Sequence, residues 1–568
     1  MKRTILITIA LVVGHVSRAQ LGSEKGQFSG NFQTMTQFYM QDDDIQANTT
    51  QYQRELSSSD AWLFLNYQVS GFKFSLRYDV FNNSPLLDPL NAYTDHGIGF
   101  WQATKDIDEL NITIGSFYDQ FGSGVAFRAF EERLLGLDYA IEGIRLIYRP
   151  TPNMQLKGFT GRQKGNKIND NRFETSAAVI KGFNVENHFV ISDKISIDGG
   201  ASIVNRTLDK VDEMGKLVDI VNNYREEDFF IPKYNTYVYN GYAKLNMGNF
   251  TLEGEYNYKT AEAIEAFKLV PNGSGDLVPE LMFDSLDGVV YSAGLSWSKR
   301  KMGKKKKSSI GISTQYRYIK NFQFRTSPFE RVQNGLLTYL PALSRQNTYT
   351  LLARYQSNAQ NLGEQAIQTD VYFTPRKGTT INANFSMTRG LKSSSRENKE
   401  KDLFREIFVS VTHKFSRKLK AKFGIQSIFY NQDQYQEIPQ AEDVETITPF
   451  GEINYKFSKK KSLRWEFQYL KTEQDLGSFF NTILELTVAP KYSFAIGDMI
   501  NVDPKRPSFT SLADKVLHFP TVYVGYTHHT STFSLAYKKQ VEGVNCTGGI
   551  CRLEPSFSGV RFTLTTTF

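Results

Sequence analysis

A chain of 568 residues would ordinarily divide into ~3–4 soluble domains, yet no linker, composition break or low-complexity tract divides this one. Its mean hydropathy of −0.40 and the lack of any unbroken apolar run of ~18 residues past the first segment exclude helical membrane spans. The net charge of +8, from 67 Lys and Arg against 59 Asp and Glu, does not mark a nucleic-acid binder, because the basic residues sit on no helix or recognition motif.

At the start, Lys2 and Arg3 precede the apolar run Ile5 to Val16, and Ser17-Arg18-Ala19 offers small residues at both recognition positions of a signal peptidase. Residues 1–19 therefore read as a signal peptide, and residues 20–568 as one exported domain. The first strand is expected around Gln27 to Met40, so close to the cleavage site that no plug domain precedes the wall. Asp42-Asp43-Asp44 lacks the spaced oxygen ligands and glycine of a calcium loop. It reads as a solvated loop, and no metal site is expected.

Farther along, strict alternation appears. Phe72, Phe74, Leu76 and Tyr78 alternate with Lys73, Ser75, Arg77 and Asp79; Leu252, Tyr256 and Tyr258 alternate with Thr251, Glu253, Glu255 and Asn257. The same holds for Leu419 to Ile425 against Lys418, Lys420 and Lys422, and for Leu463, Trp465 and Phe467 against Arg464, Glu466 and Gln468. A sandwich would bury its apolar rows in a core, whereas a membrane barrel turns them to lipid and its charge to the lumen. The 43 Phe and 30 Tyr suit two interfacial girdles, although they would suit an aromatic-rich sandwich too.

Connections alternate short and long, as barrels require. Tight turns fall near 70–71, 150–153, 192–194, 247–249, 375–378 and 458–461, several of them basic. Longer loops are expected at 41–57, 83–97, 118–139, 206–231, 265–286, 323–345, 391–400, 433–445, 501–517 and 542–555. The expected fold is thus all-β: a large closed antiparallel transmembrane β-barrel of about 24–26 strands. An even count is required, and 26 is preferred if Gly335 to Leu343 hides a short strand.

One segment, Gly115 to Asp138, is denser in chemistry than the rest. Gly122 and Gly124 permit a sharp turn, and Phe127 to Leu135 reads as one or two helical turns with Arg128 and Glu132 at i,i+4. Folded back into the lumen, Arg128, Glu131, Glu132, Arg133 and Asp138 would form a charged constriction or a ligand contact. They equally suit internal ion pairs in a crowded barrel.

The two cysteines, Cys546 and Cys551, lie in the last long loop with Gly548-Gly549 between them. An exported protein favours a disulfide there over a metal site, which needs more than two thiols. The chain then ends on Gly559 to Phe568, in which Val560, Phe562, Leu564 and Thr566 alternate with Arg561, Thr563, Thr565 and Thr567 up to a terminal Phe. That is the form of a barrel's closing strand.

The runs Phe117-Tyr118-Asp119-Gln120-Phe121-Gly122-Ser123-Gly124 and Arg128 to Asp138 join Ser29-Gly30-Asn31-Phe32 and Cys546 to Arg552 in a wider likeness. Together they resemble an uncharacterised family of Bacteroidota outer-membrane β-barrel proteins, a domain of unknown function. The resemblance spans essentially the whole mature chain. It implies fold and compartment and transfers no catalytic residue.

Function follows from these readings as expectation. The leading one is a porin-like barrel in the cell outer membrane of a Gram-negative bacterium, Sec-exported, acting as a passive or gated channel for small polar solutes. The alternative is a barrel subunit or scaffold of an outer-membrane secretion, assembly or surface complex without transport of its own; it tolerates a plugged lumen, which a channel does not, and should expose an apolar patch on its rim or loops. Enzymatic activity is not expected: no nucleophile elbow, phosphate loop or His-Glu-Xaa-Xaa-His is present, and no cofactor is implied. Expected partners are outer-membrane lipid, lipopolysaccharide and outer-membrane proteins, and no nucleic acid.

Overall fold

The computed structural model describes residues 26–165, 172–211, 213–271, 277–302, 308–331, 333–391, 401–508, 510, 512–547 and 550–568. At 134, 266–271, 277–279, 544–547 and 550–553 it describes backbone only. The signal-peptide expectation lies outside these residues.

Twenty-four strands form one antiparallel sheet that closes on itself, the first strand (Gln27–Tyr39) pairing with the last (Phe557–Thr567). Phe32 lies opposite Thr566 and Thr36 opposite Phe562. The amides of Gly30 and Phe568 each donate to the other's carbonyl, at 2.8 and 3.0 Å. Closure leaves no unpaired edge. It also places the beginning of the first strand and the end of the last on the rim of the short turns, such as 70–71, 193–194 and 248–249.

The faces follow the alternation. Phe72, Phe74, Leu76 and Trp465 are exposed on the outside, whereas Arg77, Asp79, Glu466 and Gln468 are buried within. Because the side-chain period is two, one register sets a whole row.

Three expectations need correction. The strands number 24 rather than 26, because Gly335 to Leu343 adds none; Arg325 and Leu336 make only an isolated bridge, and Leu337 and Leu340 pack inside. Segment 83–97, and 265–286 where it is described, are strand ends and not long loops: Phe72–Asp88 continues to Asn91–Ile107, and the paired strands Phe250–Pro271 and Leu277–Met302 rise beyond their neighbours. Phe127 to Leu135 is not helical. It holds the short pairings Asp119–Phe121 with Phe127–Ala129 and Glu131–Glu132 with Leu137–Asp138, and a single 3₁₀ turn at Arg133–Leu135. Gly136 ends that turn at φ 69°, a left-handed conformation that suits glycine, and a Cβ there would stand 2.7 Å from the Leu86 carbonyl oxygen.

Candidate functional site inside the barrel

Inward rows change character from rim to rim. On Leu419–Tyr430, Lys420 is exposed and Lys422 half-buried, and Gln426, Ile428 and Tyr430 are buried. On Lys461–Leu470, Arg464 is half-buried and Glu466, Gln468 and Leu470 are buried. Thr251, Glu253 and Glu255 give way in the same manner to buried Asn257 and Lys259. The half of the lumen near the short turns is therefore wet, and the half near the long loops is filled.

Two segments do the filling. Residues 118–140 and 321–362 fold inward and bind one another: the Arg128 amide donates to the Leu337 carbonyl at 2.9 Å, and the Tyr339 amide to that of Gly124 at 3.0 Å. Around them a continuous apolar cluster joins Phe121, Phe127, Phe322, Phe324 and Leu337 to the wall's Phe117, Phe159, Val204, Val238 and Ile319. Apolar side chains on the inner face, which a simple porin wall would not carry, exist here to pack the loops.

Charge locks the first segment in place. Arg77, on the wall and 1% exposed, donates to Asp79 at 2.7 Å, to Glu131 at 2.6 Å and to Asp138 at 2.7 Å. Lys164 adds a bond to Asp138 at 2.9 Å, and the Tyr118 hydroxyl donates to its other oxygen at 2.9 Å. Burial pushes the Asp138 carboxyl up, but Lys164 and Arg77 outweigh it and hold it below the usual carboxylate range. Glu131 also takes Arg133, which reaches Gln33 on the first strand at 2.7 Å. Of the five expected site residues, Glu131, Arg133 and Asp138 thus meet in one buried cluster. Arg128 instead stacks on Tyr339 and Phe130, 3.8 and 4.7 Å from their ring centres, and half-buried Glu132 lies outside the cluster.

The far end of 321–362 is held differently. The Arg345 amide and the Asn347 side chain donate to Glu406, at 3.3 and 3.4 Å; the Tyr349 hydroxyl donates to Glu452 at 3.1 Å and the Leu351 amide to Gln468 at 2.7 Å. Arg354 and Tyr355 both reach Asp475, at 3.2 and 2.7 Å. Among the described residues no backbone-to-backbone bond ties 345–356 to another segment. Of these residues the sequence placed only Gln468, on an inward row; Glu406, Glu452 and the loop residue Asp475 were not singled out. Their signal, a change from charged to neutral or apolar along each inward row, becomes visible only once the rows are aligned.

Elsewhere, Asp42 pairs with Lys539 near the end of the strand Ser531–Gln540 and Asp44 with Lys515 on a loop, each at 2.5 Å. Cys546 faces Cys551 across the hairpin Gly543–Thr547 with Ile550–Glu554. Their side chains fall outside the described residues, and so does the expected bond.

Over residues 1–568 the chain matches a family model described as a family of unknown function, DUF6029. The chain belongs to this family. No curated protein matches it. Among solved structures it is similar to the copper transporter OprC, at TM-score 0.44 and 8% identity, covering 97% of this chain and 82% of that one. It is also similar to the siderophore receptor PirA from Pseudomonas aeruginosa, at 0.41 and 8%, covering 96% and 81%. The P pilus usher PapC translocation pore stands at 0.41 and 9%, covering 95% and 99%.

Proposed function

We propose that this DUF6029 protein is a gated outer-membrane channel for small polar solutes, shut at rest by its own inner segments. The long loops then face the exterior, and lipid and lipopolysaccharide surround the wall. The observation that carries the reading is the passage of the inward rows described above from solvated to buried, with ion pairs and hydrogen bonds set among the apolar clusters of the seal. The buried ion pairs in such a seal are a poor means of gaining stability alone. It suits an assembly with two arrangements.

Planar-bilayer recording of the purified protein tests this. The expected trace is a low resting conductance broken by discrete openings; a steady open-pore current contradicts the gate.

A second reading, a subunit of a surface complex, is favoured by one feature. On the loop-rim segment 208–234, the helix Glu213–Asn222 turns Met214, Leu217 and Val221 inward but leaves Val211 and Ile231 79% and 78% exposed, with Phe229 beside them. Exposed apolar side chains beyond the lipid belt suit a protein partner. Cross-linking in native membranes that captures a stable partner through this segment, together with a silent bilayer, would favour it.

A further inference from the structure

The seam beneath residues 345–356 gathers several neutral polar groups left unmet. On the wall, the hydroxyls of Thr446 and Thr448, the Gln426 carbonyl oxygen and the Asn481 amide nitrogen are buried without a hydrogen-bond partner among the described residues, as are the Gln356 carbonyl oxygen on the segment and the hydroxyl of Ser357 just after it. Pairing register makes the wall groups neighbours: Gln426 lies opposite Thr448, and Gln468 opposite Asn481. A buried polar atom left unpaired costs about 1–3 kcal/mol. Such atoms gathered along one face mark a place where water enters.

Orphaned atoms occur elsewhere in the barrel too, as at both Asp60 carboxylate oxygens and the Ser176 hydroxyl, but they are not gathered along a seam. Arg206, Arg317 and Gln163 each leave one atom unpaired but are held through their remaining ones, to Glu262, to Glu364 and to the Leu336 carbonyl.

What the seam would present when opened follows from its bonds. Arg345 and Arg354 belong to the segment and leave with it. The wall and its adjoining loop keep Glu406, Glu452, Glu466 and Asp475, faced by Arg464, which bonds Glu452 and Glu466, and by Lys422, 4.7 Å from the Tyr349 ring centre. Four carboxylates then stand against two cations.

We propose that the conducting route follows this seam, that residues 345–356 are its gate, and that the open route passes small cations in preference to anions. This rests on the gated-channel reading above.

The test compares two loosened proteins by bilayer recording under a KCl gradient, each first shown to migrate as a folded, heat-modifiable barrel. Asn347→Ala with Tyr349→Phe removes the segment's side-chain bonds to Glu406 and Glu452 while keeping the aromatic ring; Phe127→Ala loosens the opposite half. The seam variant is expected to raise the open fraction on the order of tenfold or more, with a cation-selective reversal potential that Glu406→Gln and Glu452→Gln together move toward zero. In a Cys546→Ser, Cys551→Ser background, Thr448→Cys should react with a membrane-impermeant thiol reagent on the order of tenfold faster once the seam is loosened. Openings in Phe127→Ala but not in the seam variant would overturn the gate's position while leaving a gated channel standing. An anion-selective current would overturn the lining. Silence in both variants, with Thr448→Cys unreactive, would overturn the channel and this proposal together.

Discussion

The inner segments are fastened to the wall in two contrasting ways. On one side, 118–140 and 321–341 share backbone hydrogen bonds, a continuous apolar cluster and the buried charges around Arg77 and Arg206. On the other, 345–356 has no backbone-to-backbone bond to another segment among the described residues; Leu351 and Tyr355 join a second apolar cluster with Phe404, Tyr430, Leu470 and Phe479, Tyr349 and Leu352 pack on Phe408 and Phe450, and unpartnered hydroxyls lie among them. The difference lies in what release would break. Pulling out the first region breaks backbone hydrogen bonds as well as apolar and ionic contacts; pulling out the second breaks apolar contacts, the Arg354–Asp475 pair and bonds to wall side chains that water can replace.

The contrast breaks first at Arg77. Arg77→Met removes the bonded cation of Asp79 and leaves Glu131 and Asp138 with only Arg133 and Lys164, and should destabilise the first region by about 3–5 kcal/mol, read as a lowered urea midpoint for loss of protection in 118–140. If stability is unchanged, the charge cluster does not hold that region. Phe127→Ala, in the apolar cluster, should cost about 3–5 kcal/mol by the same measurement, and a cost below ~1 kcal/mol would mean that the cluster is loosely packed.

Acid sharpens the comparison. Asp138 is held below the usual carboxylate range, so its stabilisation is complete above the unfolded value near pH ~4 and is lost as pH falls from there through the lowered folded value. Hydrogen exchange of 124–139 should therefore stay slow at pH 5 and accelerate only in stronger acid. Exchange that speeds up between pH 7 and pH 5 would be the wrong sign.

At the seam the expected effects are smaller. Thr448→Val replaces an unpartnered hydroxyl by a methyl and should be neutral or stabilising, within about 1 kcal/mol; a clear loss of stability would reveal a partner for that hydroxyl. Smallest of all is Arg331→Ala. Arg331, 63% exposed in its pair with Glu265, should contribute no more than about 1 kcal/mol.

Much of the wall was legible in the sequence because lipid on one face and charge on the other impose a period of two, as at Phe72 to Asp79 and at Val560 to Phe568. The strand count was not. Leu336, Leu337 and Leu340 resemble wall residues in a sequence window, but they face the interior, where apolar side chains also find a home. The helical reading of Phe127 to Leu135 failed for a related reason: Gly136 and the pairing of Glu131 with Asp138 bend the segment into tight hairpins, and Arg128 stacks on Phe130 and Tyr339. The inward folding of 118–140 was expected, and Glu131, Arg133 and Asp138 do converge. Their partners Arg77, Asp79 and Lys164 lie on distant strands, which only closure of the barrel brings together.

Hydrogen–deuterium exchange of the folded protein in lipid separates the two regions. Slow exchange is expected across 124–139 and 322–339, comparable to the wall strands, and distinctly faster exchange across 345–356. Exchange in 124–139 as rapid as in the exposed segment around Val211 would show that the lumen is not filled by these segments, and equal protection at both ends of 321–362 would show that neither end is the gate.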